Sequence, residues 1–518
     1  MPFIAMSIYY YAFLFLFPLL STFLLCFLIK KHTNRNDKVR PPPSPPALPI
    51  LGHLHLLGTA FPNSFQTLAR RYGPLMQLRI GFSTFVVASS AAIAKEIFKT
   101  HDLTFSSRFE MGPTDYNIYK GTGFITGPYG AYWKFMRKLC ITELFAGAQF
   151  DRFKDIREQE TINLLKSINE SAIEGNPCDL NVELENFTNN IICKMTMGKK
   201  FKNINGDGEA KKMRKLVTEI MDSGAKLSGN EVFGVLKKID IFGHGRKLKE
   251  ALWEYDKVIE EIMKEYEEHL GNIGEDEEKD VMDILLMTYR DINAEVKLTR
   301  CQIKHFILEL FMASIDTESA AIQWAMAELI NHPKVFKKLR DEMESTESAN
   351  KRLVNESDVP NLPYLQAIVK ESLRLHTPSP IIFRESTKAC KINGYDIESK
   401  TKLLINAYAI MRDPETWHDP DKYKPERFLV KSTGEFDQFE MEMKRHNFSY
   451  LPYGGGRRMC PGSAYAYTLL YATIGALVQC FDWKVKDGEK IDINVSTGYS
   501  GAMAPSLLCY PITHFNPF

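Results

Sequence analysis

A chain of 518 residues has room for about three domains at 100–200 residues each, yet no linker divides it after the first fifty residues, so one large domain is expected. At 44% hydrophobic and 25% charged the composition is that of a globular protein, and a net charge of +1 excludes nucleic-acid binding driven by overall charge. Nine cysteines with no Cys-x-x-Cys pairing point to neither a disulfide framework nor a zinc site, and they fit a reducing compartment.

Residues 8–29 form an uncharged apolar run, long enough to cross a bilayer at about 20 residues per span. The run lacks a small-x-small cleavage site and is followed by Lys30, Lys31, Arg35, Lys38 and Arg40, which the positive-inside rule keeps cytosolic. Residues 1–29 are therefore expected to be a single-pass signal anchor in the endoplasmic reticulum membrane, with the bulk of the chain cytosolic. A cleaved signal peptide is the alternative, and only then would the sequons at Asn186 and Asn447 meet the glycosylation machinery.

Residues 30–49 read as a basic, proline-rich hinge whose stretch 41–49 cannot enter a helix or a central strand and acts as a stiff spacer. The globular domain then spans 50–518. Residues 75–80 and 84–88 predict a short hairpin and 91–100 a helix; strands are few and early. From Tyr129 the pattern turns helical, with Trp133 and Arg137 four apart on one face. Amphipathic helix fills most of 151–289, broken by an acidic loop at 274–278.

Residues 303–330 make a long, largely apolar helical stretch with Asp316 and Thr317 in its middle. A buried acid there costs energy unless it is paired or solvated, and a threonine can also bond back to a carbonyl one turn earlier. Glu371 and Arg374 stand three apart on a helix over 364–376, on spacing alone an ordinary surface pair. The loop 452–462, Pro-Tyr-Gly-Gly-Gly-Arg-Arg-Met-Cys-Pro-Gly, feeds a helix with its body at 463–480. Cys460 thus precedes a helix N-terminus, where free N–H groups favour a thiolate that can serve as metal ligand or nucleophile. An inert buried cysteine is the bland alternative.

Tyr453, Gly456, Arg458, Cys460 and Gly462 stand in the order aromatic-x-x-Gly-x-Arg-x-Cys-x-Gly, which resembles the haem-binding loop of the cytochrome P-450 family. The resemblance implies a mainly α fold with small β-sheets, preceded by one transmembrane helix. It makes Cys460 the thiolate ligand of the iron of haem b, Arg458 the partner of a propionate, and Tyr453 the aromatic cover of the sulfur where the family usually has Phe. Gly456 lets the backbone approach closely. Trp133, Arg137 and, less specifically, Arg384 then face the propionates.

In the stretch 313–318, Ala-Ser-Ile-Asp-Thr-Glu, the resemblance implies that Asp316 and Thr317 deliver protons for oxygen activation. Ser314 and Glu318 depart from the family's Gly and Thr/Ser. Glu371, Arg374 and Arg427 become a buried cluster serving fold and haem retention, and 215–233 the roof of the substrate cavity. The implied partner is NADPH-cytochrome P-450 reductase, passing electrons from NADPH, with Lys134, Lys138 and Arg457 available to an acidic donor surface.

Several phrases, among them 392–397 and 406–414, look like plant microsomal members of specialised metabolism. The cavity stretches 111–125, 378–383 and 500–505 are apolar or small, which favours a hydrophobic triterpenoid substrate over a flavonoid. A haem-thiolate isomerase or dehydratase needing no reductase, or a membrane-anchored haem protein that only binds a partner, are the readings from other classes. The Asp316–Thr317 pair argues against both.

Overall fold

The computed structural model describes residues 17, 21, 39–110, 114–145, 148–198, 209–228, 240, 242–269, 279–345, 352–429, 448–488, 490–496 and 501–518. The expected anchor, apart from two positions, lies outside these residues, as do the acidic loop and Asn447. Among the described residues no helix is long and apolar enough to cross a membrane.

The fold is mainly helical, organised on one central helix, Arg300–Asn331. Its start is a capping box: Gln302 N–H donates to Thr299 Oγ1 at 3.2 Å and Thr299 N–H to Gln302 Oε1 at 2.9 Å. Its end is set by Pro333, which disfavours helical geometry at His332 and opens the next helix, Pro333–Ser345. Between them Ile303, Phe306, Phe311, Ile315, Ile322 and Trp324 are all buried, because most of the helix runs through the core and little of it is left for a polar face. It packs most extensively on Leu180–Met197, and also on Pro363–Leu375 and Ser463–Cys480.

The expectation that strands come only early is corrected. Leu75–Ile80 and Ser83–Ala88 form the anticipated antiparallel hairpin, with Leu75 opposite Ala88. The sheet is completed by Lys402–Asn406, parallel to Ser83–Ala88, and by Ile381–Glu385 antiparallel to it in turn. Two smaller sheets join Cys178–Asp179, Leu508–Thr513 and Phe481–Lys484, and pair Cys390–Ile392 with Tyr395–Ile397. Apart from the Asn393-Gly394 hairpin between Cys390–Ile392 and Tyr395–Ile397, these late strands are short and gain their stability from partners distant in sequence, which local pattern does not register. The stretch 91–100 is helical as expected but ends in a π-helical turn, Glu96–Thr100.

One further reading changes. The proline stretch does not stand off as a spacer: Asp396 N–H donates to the Arg40 carbonyl at 2.7 Å and Gln77 N–H to that of Pro43 at 2.8 Å, so the domain surface holds it. Glu371 and Arg374 form, with Arg427, the buried cluster that the resemblance implies. Both are fully buried, joined by Nε–Oε2 and Nη2–Oε1 bonds of 2.7 and 2.8 Å. Arg427 Nε reaches the same carboxylate at 3.2 Å.

Candidate functional site

The loop 452–462 and the helix Ser463–Cys480 place Cys460 on the wall of a cavity of about 420 Å³, facing the central helix. The loop closes on itself through Cys460 N–H to the Tyr453 carbonyl at 3.1 Å. Gly456 sits at φ +67°, and a Cβ there would lie 2.4 Å from Asp102 Oδ1, so only glycine fits. Asp102 fixes the next residue as well, accepting from Arg457 N–H at 2.9 Å and pairing with its guanidinium at 2.9 Å. Arg457 is thus tied down, while Lys134 and Lys138 remain exposed on the helix Ala131–Leu139.

A helix N-terminus was expected to favour the Cys460 thiolate. Burial instead pushes its thiol up, with the Gly462 N–H, Arg108 and Arg137 pulling against that. A sulfur so enclosed becomes a stable anion when a bound cation replaces the water it has lost. Tyr453 covers the neighbouring space, its ring edge-on to Tyr467 at 5.0 Å between centroids.

Four guanidiniums converge on the same cavity: Arg108, Arg137, Arg384 and Arg458. Burial lowers each of them, Arg458 to about 9, and they depress one another. Their hydrogen bonds run to backbone carbonyls: Arg137 Nη1 to Met459 at 2.7 Å, Arg384 Nη2 to Gly455 at 3.2 Å, Arg458 Nε to Ser106 at 2.5 Å. Arg458 also lies over the Trp133 ring at 4.4 Å and Arg137 over it at 5.6 Å. Arg108 Nε is buried with no hydrogen-bond partner among the described residues. Among the described residues these four converging cations are faced chiefly by Glu309 and Asp102, so the cradle is short of negative charge. A flat group bearing two carboxylates and a thiolate-seeking metal fits that cradle, and haem b is such a group.

On the central helix the cavity is lined by Leu310, Ala313, Ser314, Thr317, Glu318 and Ala321, a stripe at helical spacing. Thr317 Oγ1 donates to the Ala313 carbonyl at 2.6 Å and Ser314 Oγ to that of Leu310 at 2.8 Å, so both hydroxyls bond back one turn. Asp316 is not brought to the cavity with Thr317. Its carboxyl is raised by partial burial and by Glu185, with Arg214 offsetting. The acids that do line the cavity are Glu309 and Glu318, and Glu318 is buried and pushed up to about 8, with Oε2 unpartnered among the described residues.

Of the expected cavity stretches, 111–113 lie outside the described residues, Phe124 and Ile125 line the cavity, and so do Pro378, Ser379 and 381–383. The described part of 501–505 does not; Gly501 accepts from Trp324 Nε1 at 2.7 Å instead. No described residue of 215–233 lines it. Sequence reasoning overlooked Arg108 and Glu309. Glu309 stands eight residues before Thr317 on one helical stripe, and an acid at that period within an apolar run was the available signal.

Residues 42–509 match the family model described as Cytochrome P-450. The chain is 38% identical to 3,9-dihydroxypterocarpan 6A-monooxygenase of Glycine max, over 96% of this chain and 98% of that one. It is 39% identical to beta-amyrin 24-hydroxylase of Glycine max, over 96% and 97%. A zebra fish cytochrome P-450 solved with progesterone shares the fold at a TM-score of 0.74 and 23% identity, covering 87% of this chain and 99% of that one.

Proposed function

The chain belongs to the cytochrome P-450 family and is a monooxygenase of plant specialised metabolism, and from that premise we propose that it oxidises a triterpenoid. In this reading residues 1–29 hold it in the endoplasmic reticulum membrane, single-pass with the domain cytosolic, and NADPH-cytochrome P-450 reductase passes it electrons. Haem b, when bound, supplies the reductive activation of O₂ that puts one oxygen atom into a C–H bond.

The protein's own part is positioning and proton handling. Cys460 Sγ would ligate the haem iron, and Trp133, Arg137, Arg384 and Arg458, together with Arg108, would hold the carboxylate edge. Tyr453 and Gly456 shape the loop around the sulfur. Thr317 Oγ1 and Ser314 Oγ can turn from their helix carbonyls to hand protons into the cavity, and Glu318 holds a proton at neutral pH on the same face. Asp316 reaches that face only through an intervening water or a change of rotamer.

The observation that supports a triterpenoid is the cavity wall, where Phe124, Ile192, Met195, Phe306, Leu310 and Ile381 offer carbon to a polycyclic skeleton. Ser314 and Thr317 donate to backbone carbonyls and Glu309 accepts from backbone N–H groups, so apart from Glu318 the wall offers the hydroxyls of a flavonoid few partners. Beta-amyrin 24-hydroxylase lends the same substrate class, while the pterocarpan monooxygenase stands for the flavonoid-like alternative.

Microsomes holding the full chain and a reductase, given panels of triterpenoids and flavonoids with and without NADPH, test this. NADPH-dependent gain of one oxygen on a triterpenoid is expected; turnover confined to flavonoids would refute the substrate class. Deleting residues 1–29 should release much of the protein from membranes with haem retained. N-glycan on Asn186 of the native protein would overturn the orientation.

A further inference from the structure

Glu309 is only 5% exposed, two turns before Thr317 on the central helix. Its Oε2 accepts the N–H of Phe124 at 2.6 Å and its Oε1 that of Ile125 at 2.9 Å, and the Thr126 N–H also bonds to it. The carbonyls of the same peptide groups face the opposite way. Arg458 Nη1 donates to Phe124 O at 3.3 Å and to Ile125 O at 3.4 Å, Arg108 Nη1 to Ile125 O at 3.3 Å, and Arg458 Nη2 to Gly127 O.

The Phe124 carbonyl and the Ile125 N–H belong to one peptide unit, and the Ile125 carbonyl and Thr126 N–H to the next. Two peptide dipoles are therefore held end to end between a carboxylate and two guanidiniums, an arrangement in which each hydrogen bond polarises and strengthens the other. Gly123 leaves room for the carboxylate, since a Cβ there would lie 2.8 Å from Glu309 Oε1. The loop is also held by Thr122 Oγ1 to His305 Nδ1 at 2.9 Å and by Tyr132 Oη to the Thr122 carbonyl at 3.0 Å.

We propose that Glu309 is a positioning residue which, through the peptide groups of 124–127, sets Arg458 and Arg108 against the carboxylate edge of haem. This rests on the reading that those guanidiniums receive that edge. Phe124 and Ile125 also wall the substrate cavity, so cavity wall and cofactor cradle form one mechanical unit.

The test is haem transfer from the folded holoprotein to excess apomyoglobin, well below the melting temperature and without turnover. At a pH above the value of about 7 to which burial pushes the Glu309 carboxyl, Glu309→Gln removes the charge and presents an amide N–H₂ to backbone donors, and loss about tenfold faster or more is expected, the scale of one charge-assisted hydrogen bond. Gly123→Ala, which displaces the loop and leaves the charge intact, should shift the rate the same way, and Glu309→Asp should fall between wild type and Gln. A residue needed only for packing would lower the melting temperature and leave this rate alone. Wild-type rates in Glu309→Gln and Gly123→Ala beside fast loss in Arg458→Gln overturn the proposal alone. A wild-type rate in Arg458→Gln overturns the cradle reading and the proposal with it. If Glu309→Gln yields no folded protein, Gly123→Ala decides.

Discussion

Glu371→Gln keeps side-chain volume and removes one charge from the centre of the buried cluster. The carboxylate takes four donors: Arg374 Nε and Nη2 at 2.7 and 2.8 Å, Lys424 N–H at 2.9 Å and Arg427 Nε at 3.2 Å. A glutamine offers one acceptor oxygen and turns an N–H₂ toward the guanidiniums, leaving buried positive charge uncompensated, a loss of about 3–5 kcal/mol. With an unfolding entropy of about 2.1 cal/mol/K per residue, a domain of roughly 470 residues loses about 1 °C per kcal/mol. Scanning calorimetry of the holoprotein at neutral pH should therefore show a melt lowered by about 3–5 °C. Lys338→Ala is the control: its exposed 2.8 Å pair with Glu426 should matter by less than about 1 °C. A Glu371→Gln melt indistinguishable from that of Lys338→Ala would refute the claim that this cluster behaves as buried charge.

Cys460→Ser should abolish activity and remove the thiolate signature from the spectrum of the reduced carbon monoxide complex; persistence of that signature rules out Cys460 as ligand. Thr317→Ala should retain haem and substrate binding and yield less product per NADPH, and Ser314→Gly combined with it should be non-additive, as for groups acting as one unit. Unchanged yield in the double variant removes both hydroxyls from proton delivery. Burial pushes the Glu328 carboxyl up, but hydrogen bonds from His332 and His376 more than offset this and hold it at about 2, below its ordinary 4.5. Its folded value is the lower one, so its contribution is complete above pH about 4.5 and is lost as pH falls through about 2. Glu328→Gln should flatten the stability curve in that window, and equal acid sensitivity in both proteins would refute the assignment.

How much of this was legible in the sequence depended on how local each signal is. The Cys460 loop and its helix, 463–480, are punctuated by their own Gly and Pro and need no distant partner to be read. Lys402–Asn406 takes its edge from Ser83–Ala88, and Ile381–Glu385 takes its own from Lys402–Asn406, so five residues of local pattern could not announce either. Spacing alone made Glu371 and Arg374 a surface pair, since it says nothing of burial; the motif completed by Arg427 was what pointed to the buried cluster. Pairing Asp316 with Thr317 overlooked the helical period. Neighbours on a helix point about 100° apart, and the stripe through Ser314, Thr317 and Ala321 that faces the cavity leaves Asp316 outside and takes in Glu318.

The completed sheet sets a timing problem for the growing chain. Val86 pairs with Leu403, so at about 5–20 residues per second the strand Ser83–Ala88 waits roughly 15–60 s on the ribosome for its neighbour. During that wait Phe85, Val86, Val87 and Ala88, all buried in the finished fold, present an apolar edge with open backbone groups. A chain halted before residue 402 is thus prone to aggregate however well its helices form, and nascent protein depends on that edge being held apart from its copies until the last third of synthesis is under way.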